Sequence, residues 1–277
     1  MAKVAVLSYI KRKSPVHELV GTTKLIFFLA WSVAVMVTYD TRVLVLFLLA
    51  SFAIFKISKV KIREVSVVLG LAAVFLLMNN FFVYLFSPEY GVELYQSRTL
   101  LHTIVGRYTI TAQQLFYHLN MTMKVICVIP VALIFIACTD PSEFAASLAG
   151  IGVNYRIGIS VSLALRYIPD IQREYHNISQ AQQARGIDLS GKDKFITRLK
   201  NSVAILLPLV LSSLNRIETI SNAMELRGFG KKKKRTWYVQ RKLQKADYFV
   251  LFLSVFVLAF SFIVTFWDGS RYYNPFI

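Results

Sequence analysis

Two arginines stand out as residues able to do chemistry, each followed by glycine and a large apolar residue: Arg185-Gly186-Ile187 in "QQARGI" and Arg227-Gly228-Phe229 in "MELRGF". A guanidinium is planar, always charged and carries its donors in a rigid fork, so at an exposed tip beside Ala184 or Leu226 it suits insertion into a partner's acidic groove. The same residues also spell a helix ending, with a cation in the last turn, a left-handed glycine and an apolar residue packing back. Taken singly, each stretch reads as an ordinary cap. Their recurrence on two long polar helices raises the docking reading beside it.

Other candidates for chemistry are weaker. Gly186 to Asp193, "GIDLSGKD", nearly spells a phosphate-binding loop, but Asp193 stands where a Ser or Thr should reach magnesium, and the loop follows a helix rather than a strand. His17, His102, His118 and His176 are scattered, and Cys127 and Cys138 share one apolar segment with no CxxC, which reads as two core or membrane-facing thiols. The sequence offers no catalytic site, metal site or cofactor site. Lys231 to Arg235, "KKKKR", suits acidic partners or anionic lipid, or simply sets topology.

The elements that carry these residues follow from composition. The chain has 277 residues, 56% hydrophobic, with 32 Lys and Arg against 15 Asp and Glu. Basicity alone would suit a nucleic-acid binder, but uncharged apolar runs of membrane length point instead to an all-α integral membrane protein without nucleic acid as a partner. Val65 to Ser87 and Tyr248 to Trp267 are uncharged runs of 23 and 20 residues, each long enough to cross a bilayer. A further span runs from about 115 to 137 if Lys124 faces protein; that lysine is either a contact within the bundle or with another subunit, or a snorkelling or otherwise satisfied residue. Leu25 to Tyr39 and Val43 to Phe55 are short and separated only by Asp40-Thr41-Arg42. One re-entrant hairpin is the alternative, but two spans are favoured because Thr and Ser cost little at the edges and Lys24 and Lys56 can snorkel.

The resulting organisation has a membrane domain over residues 1–138 with spans near 22–39, 41–57, 65–87 and 115–137. A coupling-helix region follows over 139–245, with helices near 141–149, 155–186 and 197–228, and a fifth span near 248–267 lies within 246–277. Five Lys and Arg up to Lys24, four from Lys56 to Arg63 and eighteen from Cys138 to Lys245 oppose Arg42, Arg98, Arg107 and Arg271 on the other side. That asymmetry places the N-terminus and the coupling region in the cytoplasm and the C-terminus outside a plasma membrane. "TDPSEF" predicts a helix start with Asp140 as cap, Pro141 first and Glu143 closing a capping box. The two long helices carry one internal proline each, Pro169 and Pro208, which are hinge candidates. The apolar half of the second, "VAILLPLVL", is read as too short to span. No carboxylate falls within the expected spans, which weighs against a self-sufficient proton-coupled transporter.

"ALRYIPDIQREYHNISQAQQARG", "SPVHEL", "TDPSEF" and "ELRGFGKKKKRT" are the stretches in which the chain resembles the transmembrane T component of energy-coupling factor transporters, a family that includes cobalt and nickel permease subunits. The likeness covers nearly the whole chain, although "VGTTK" stands where relatives often have Asp-Pro-Arg-Thr-Lys, and Leu226 where Ala is common. It implies a scaffold joining a substrate-binding membrane subunit to two cytoplasmic ATPases, for uptake of vitamins or other micronutrients. ATP and Mg would then sit on the ATPases, with Ala184-Arg185-Gly186 and Leu226-Arg227-Gly228 docking one on each. The other class of reading is a stand-alone membrane protein whose basic helices bind lipid or another partner.

Overall fold

The computed structural model describes residues 12, 14–105, 108–187, 195–231, 243–267 and 271–276. The chain divides into two compact units, one of residues up to Ser147 together with those from Arg241 onward, the other Leu148–Gln240.

The first unit is a bundle of apolar helices. A single turn, α1 (Pro15–Glu18), is capped by Ser14 and followed by α2 (Gly21–Val37), α3 (Thr41–Ser58) and α4 (Ile62–Phe86). A short α5 (Tyr90–Tyr95) and an antiparallel hairpin of β1 (Leu100–Val105) and β2 (Tyr108–Thr111) precede α6 (Ala112–Cys138). Then α7 (Pro141–Gly150) leads out of the bundle, and α10 (Lys245–Phe266) returns to it. The intervening α8 (Tyr155–Ala184) and α9 (Phe195–Leu226) make up the second unit. The protein is thus an all-α integral membrane protein, with the small hairpin an addition that the sequence reading did not anticipate.

Side-chain bonds between helices fix their directions. Val20 N–H donates to Asp247 (2.9 Å), Ser261 to the Ala34 carbonyl (2.8 Å) and Arg271 to the Val37 carbonyl (2.6 Å), so α10 runs parallel to α2 along its full length. Lys24 donates to the Cys138 carbonyl (2.8 Å), Trp31 to that of Cys127 (3.1 Å) and Lys124 to that of Met36 (2.9 Å), so α6 runs antiparallel to α2. Thr41 donates to Asn120 (2.7 Å) and the Cys127 thiol lies 3.4 Å from the Leu44 carbonyl, which makes α3 parallel to α6. The segment Asp40-Thr41-Arg42 is therefore a turn and cap between two helices, with the Asp40 carboxylate accepting from Arg42 N–H (2.9 Å).

By length and apolarity, Thr41–Ser58, Ile62–Phe86, Ala112–Cys138, Asn201–Leu226 and Lys245–Phe266 are each able to cross a membrane. The helix α2, with 17 residues, falls short of that measure, whereas the sequence reading counted it as a span and set α9 aside. The 17-residue α2 nevertheless lies along α10, bonded to it through Val20 and Ala34. The long helix expected near 197–228 is present, unbroken over 32 residues, and its length and composition alone would also let it cross a membrane.

The bundle core is Trp31, Ala34, Val35, Val43, Leu44, Phe47, Cys127 and Val131, where the Trp31 and Phe47 rings meet edge to face at 4.9 Å. Within lipid such contacts hold helices by close packing and hydrogen bonds rather than by water exclusion. Lys124, 5% exposed, is held inside the bundle: its ammonium also lies 3.0 Å from the centroid of the Tyr39 ring. Lys24 departs from the snorkelling expectation. It is 5% exposed, donates to the His17 (3.3 Å) and Cys138 carbonyls, and pairs with Glu143 at 3.5 Å, because carbonyls freed at the end of α6 and a buried carboxylate offer it more than the headgroup region would.

Candidate functional site

The second unit positions both Arg-Gly pairs. At its start, Asn154 caps α8 by accepting from Arg156 N–H (3.0 Å). Contacts then tie α8 to α9 in opposite directions. Gln182 donates to the Ala204 carbonyl (3.1 Å), Ser212 to the Glu174 carboxylate, and Arg216 to the same carboxylate (2.9 Å). Near the other end the Phe229 ring meets Tyr155 edge to face at 5.9 Å, and Arg156 donates to the Gly230 carbonyl (2.9 Å). As numbers rise along α8 they fall along α9. Among the described side chains of α9, Ile205 and Leu209 are the buried apolar ones.

An antiparallel pair puts the two C-termini at opposite ends. The helix α8 has 30 residues, so at 1.5 Å each the two Arg-Gly pairs stand about 45 Å apart. Locally the two ends are built alike. At the first, Gly186 has φ +85°, its N–H donates to the Gln183 carbonyl (2.9 Å), and Ile187 N–H donates to that of Gln182 (3.1 Å). At the second, Gly228 has φ +68°, its N–H donates to Glu225 (2.8 Å), and Phe229 N–H donates to Met224 (2.9 Å). This double closure of the last turn needs a residue with positive φ after the final helical arginine, which is why glycine follows both.

The caps leave the cations outward. Ala184, Arg185 and Gly186 are exposed, as is Arg227, and Leu226 is 89% exposed. Among the described residues nothing covers this leucine, although a single exposed apolar side chain is ordinary on a protein surface. Pro169 and Pro208 lie inside α8 and α9, and both helices continue through them. A third internal proline, Pro130, sits buried in α6. The near phosphate loop falls mostly at 188–194, and most of the basic run at 232–235, outside the described residues.

The sequence reading missed the brace between the helices. Glu174 accepts from both Ser212 and Arg216, whose guanidinium also lies 5.9 Å from the Tyr167 ring centroid. Glu174 and Arg216 are 42 positions apart, so no helical spacing links them, and only the antiparallel pairing brings them together.

Residues 12–238 match the family model described as CbiQ, cobalt transport protein. The chain belongs to this family. Among its relatives, the energy-coupling factor transporter transmembrane protein EcfT of Staphylococcus aureus is 27% identical over 88% of this chain and 91% of its own length. That of Lactococcus lactis is 28% identical over 86% and 89%, and that of Limosilactobacillus fermentum 30% identical over 57% and 62%. A CbiQ-family chain of this kind is a transmembrane component of an energy-coupling factor transporter, a multi-pass transport subunit rather than an enzyme.

Proposed function

We propose that this chain is the coupling scaffold of an ATP-driven importer of vitamins or other micronutrients. It joins two ATP-binding subunits to a substrate-binding membrane subunit within the bilayer, and Ala184-Arg185-Gly186 and Leu226-Arg227-Gly228 each dock on one ATPase. The observation that carries this reading is the antiparallel pairing of α8 and α9. Two like-built ends about 45 Å apart suit two separate subunits, whereas two caps that merely stop a helix need no such spacing. ATP and Mg belong to those partners, and closure of the ATPases would move one end relative to the other.

In this reading the end of the bundle formed by α1, the start of α2 and the end of α6 faces the cytoplasm with residues 148–240, and the C-terminus is external. Pro169 and Pro208 set bends between the apolar and docking parts of the two helices. Purification of the tagged chain from its host is the direct test. Two different ATPases recovered stoichiometrically support the scaffold, and a stable chain recovered without them supports a stand-alone lipid-binding protein.

A further inference from the structure

The mechanical reading requires the chain to be anchored where it leaves the bundle after α7 and where it returns at α10. Both places converge on the start of α2. Glu143, on the first turn of α7, is buried and pairs with Lys24, itself buried on the first turn of α2. The Lys24 ammonium also donates to the carbonyls of His17, in α1, and Cys138, at the end of α6. Asp247, fully buried on the first turn of α10, accepts from Val20 N–H (2.9 Å) with one oxygen and from Gln244 N–H (2.8 Å) with the other. The backbone closes the same gap: a Cβ placed on Gly21 would lie 2.9 Å from the Glu143 carbonyl oxygen and 3.1 Å from its Cβ.

We propose that Lys24, Glu143 and Asp247 form a joint that clamps the exit to, and the return from, residues 148–240 onto the first membrane helix. Lys24 and Glu143 then act as positioning residues for transmission of movement into the bundle. The inference rests on the coupling-scaffold reading. Its physical basis is that a buried ion pair satisfied by backbone carbonyls holds its geometry tightly, because any displacement strands a charge away from water. Capping alone would need only the start of its own helix, but Glu143 also faces an ammonium drawn from another helix, which in turn binds a third and a fourth segment. The joint thus moves as one body, so a displacement of α7 reaches α2 without slack.

The test uses the full complex in proteoliposomes, with ATP hydrolysis and substrate uptake measured on the same preparation. Lys24→Met with Glu143→Met removes both charges together and leaves neither orphaned. The double variant is expected to assemble and hydrolyse ATP, while uptake per ATP falls within the roughly 5- to 150-fold range of a typical coupling free energy. Lys24→Arg, which keeps the cation, should recover most of that loss. Gly21→Ala, which touches no charge but forces α7 off α2, should give a smaller fall in the same ratio and covers the case in which the double variant does not fold. Wild-type uptake per ATP in both the double variant and Gly21→Ala would overturn the joint. Failure of the unmodified chain to bind ATPases would instead overturn the scaffold reading beneath it.

Discussion

Lys24 and Lys124 in the bundle and Arg185 at the tip of α8 live under opposite rules. In the bundle, Lys24 and Lys124 are each 5% exposed and spend their donors on carbonyls of neighbouring helices. On α8, Arg185 is exposed at a helix tip, where its own helix dipole already favours it without fixing its direction. The polar residues of α6 follow the bundle's rule: Gln114 accepts from Gly91 N–H (2.7 Å) and donates to the Ser87 carbonyl (3.2 Å), and Asn120 accepts from Thr41. The contrast teaches that position, not residue type, decides whether a charge holds the fold or waits for a partner. A polar group in lipid must be matched within the chain, whereas one at an aqueous tip is free to be matched by another.

The comparison breaks most sharply at the tips. Arg185→Glu with Arg227→Glu should release both ATPases, since reversing a docked charge commonly costs about 2 to 5 kcal/mol per site. The melting of the isolated chain should move by only about 0.3 to 1 kcal/mol per arginine, the worth of a cation at a helix C-terminus. Co-purification and thermal melting, measured together, separate the two. A double variant that still holds both ATPases would reduce these endings to caps.

The reverse pattern is expected in the bundle. Trp31→Ala deletes a side chain packed edge-on against Phe47 and removes the indole N–H donated to the Cys127 carbonyl, and should cost about 3 to 5 kcal/mol of stability in detergent. Complex recovered after this change should nevertheless bind ATPases with undiminished affinity. Between these extremes lies Gly186→Ala, which places a Cβ at φ +85° and should cost about 1 to 2 kcal/mol while turning Arg185 from its outward direction. Weakened binding to one ATPase only is the outcome to look for. The smallest effect belongs to Glu174→Gln, whose partly exposed pairing with Arg216 is worth about 0.2 to 1 kcal/mol to the folded chain. Uptake falling while stability holds would show that the brace stiffens the helix pair.

What could be read directly was what depends on neighbouring residues. The uncharged runs gave α4 and α10, and the Arg-Gly-apolar punctuation gave both closed turns, because caps are written within six residues of sequence. Glu143 shows the limit. Three places after Asp140 it reads as part of a local capping box, and nothing in that spacing announces its pairing with Lys24, more than a hundred positions earlier. The hairpin of β1 and β2 escaped because its alternation lies beside a membrane run whose apolarity drowned the shorter period. The direction of α9 against α8 was likewise unreadable, as it rests on Glu174 and Arg216 meeting across two helices.

The pairing of α2 with α10 also sets a timetable for biogenesis. Val20 and Asp247 are 227 residues apart, and so are Ala34 and Ser261. At translation rates of 5 to 20 residues per second, the first membrane helix must wait roughly 10 to 45 s before its final neighbour leaves the ribosome. Throughout that interval the α2 surface meant for α10 is open to lipid, to the insertion machinery or to a chaperone, and residues 148–240 are synthesised before the bundle can close. A chain shortened before α10 should therefore remain inserted but open, a substrate for membrane quality control rather than a smaller working scaffold.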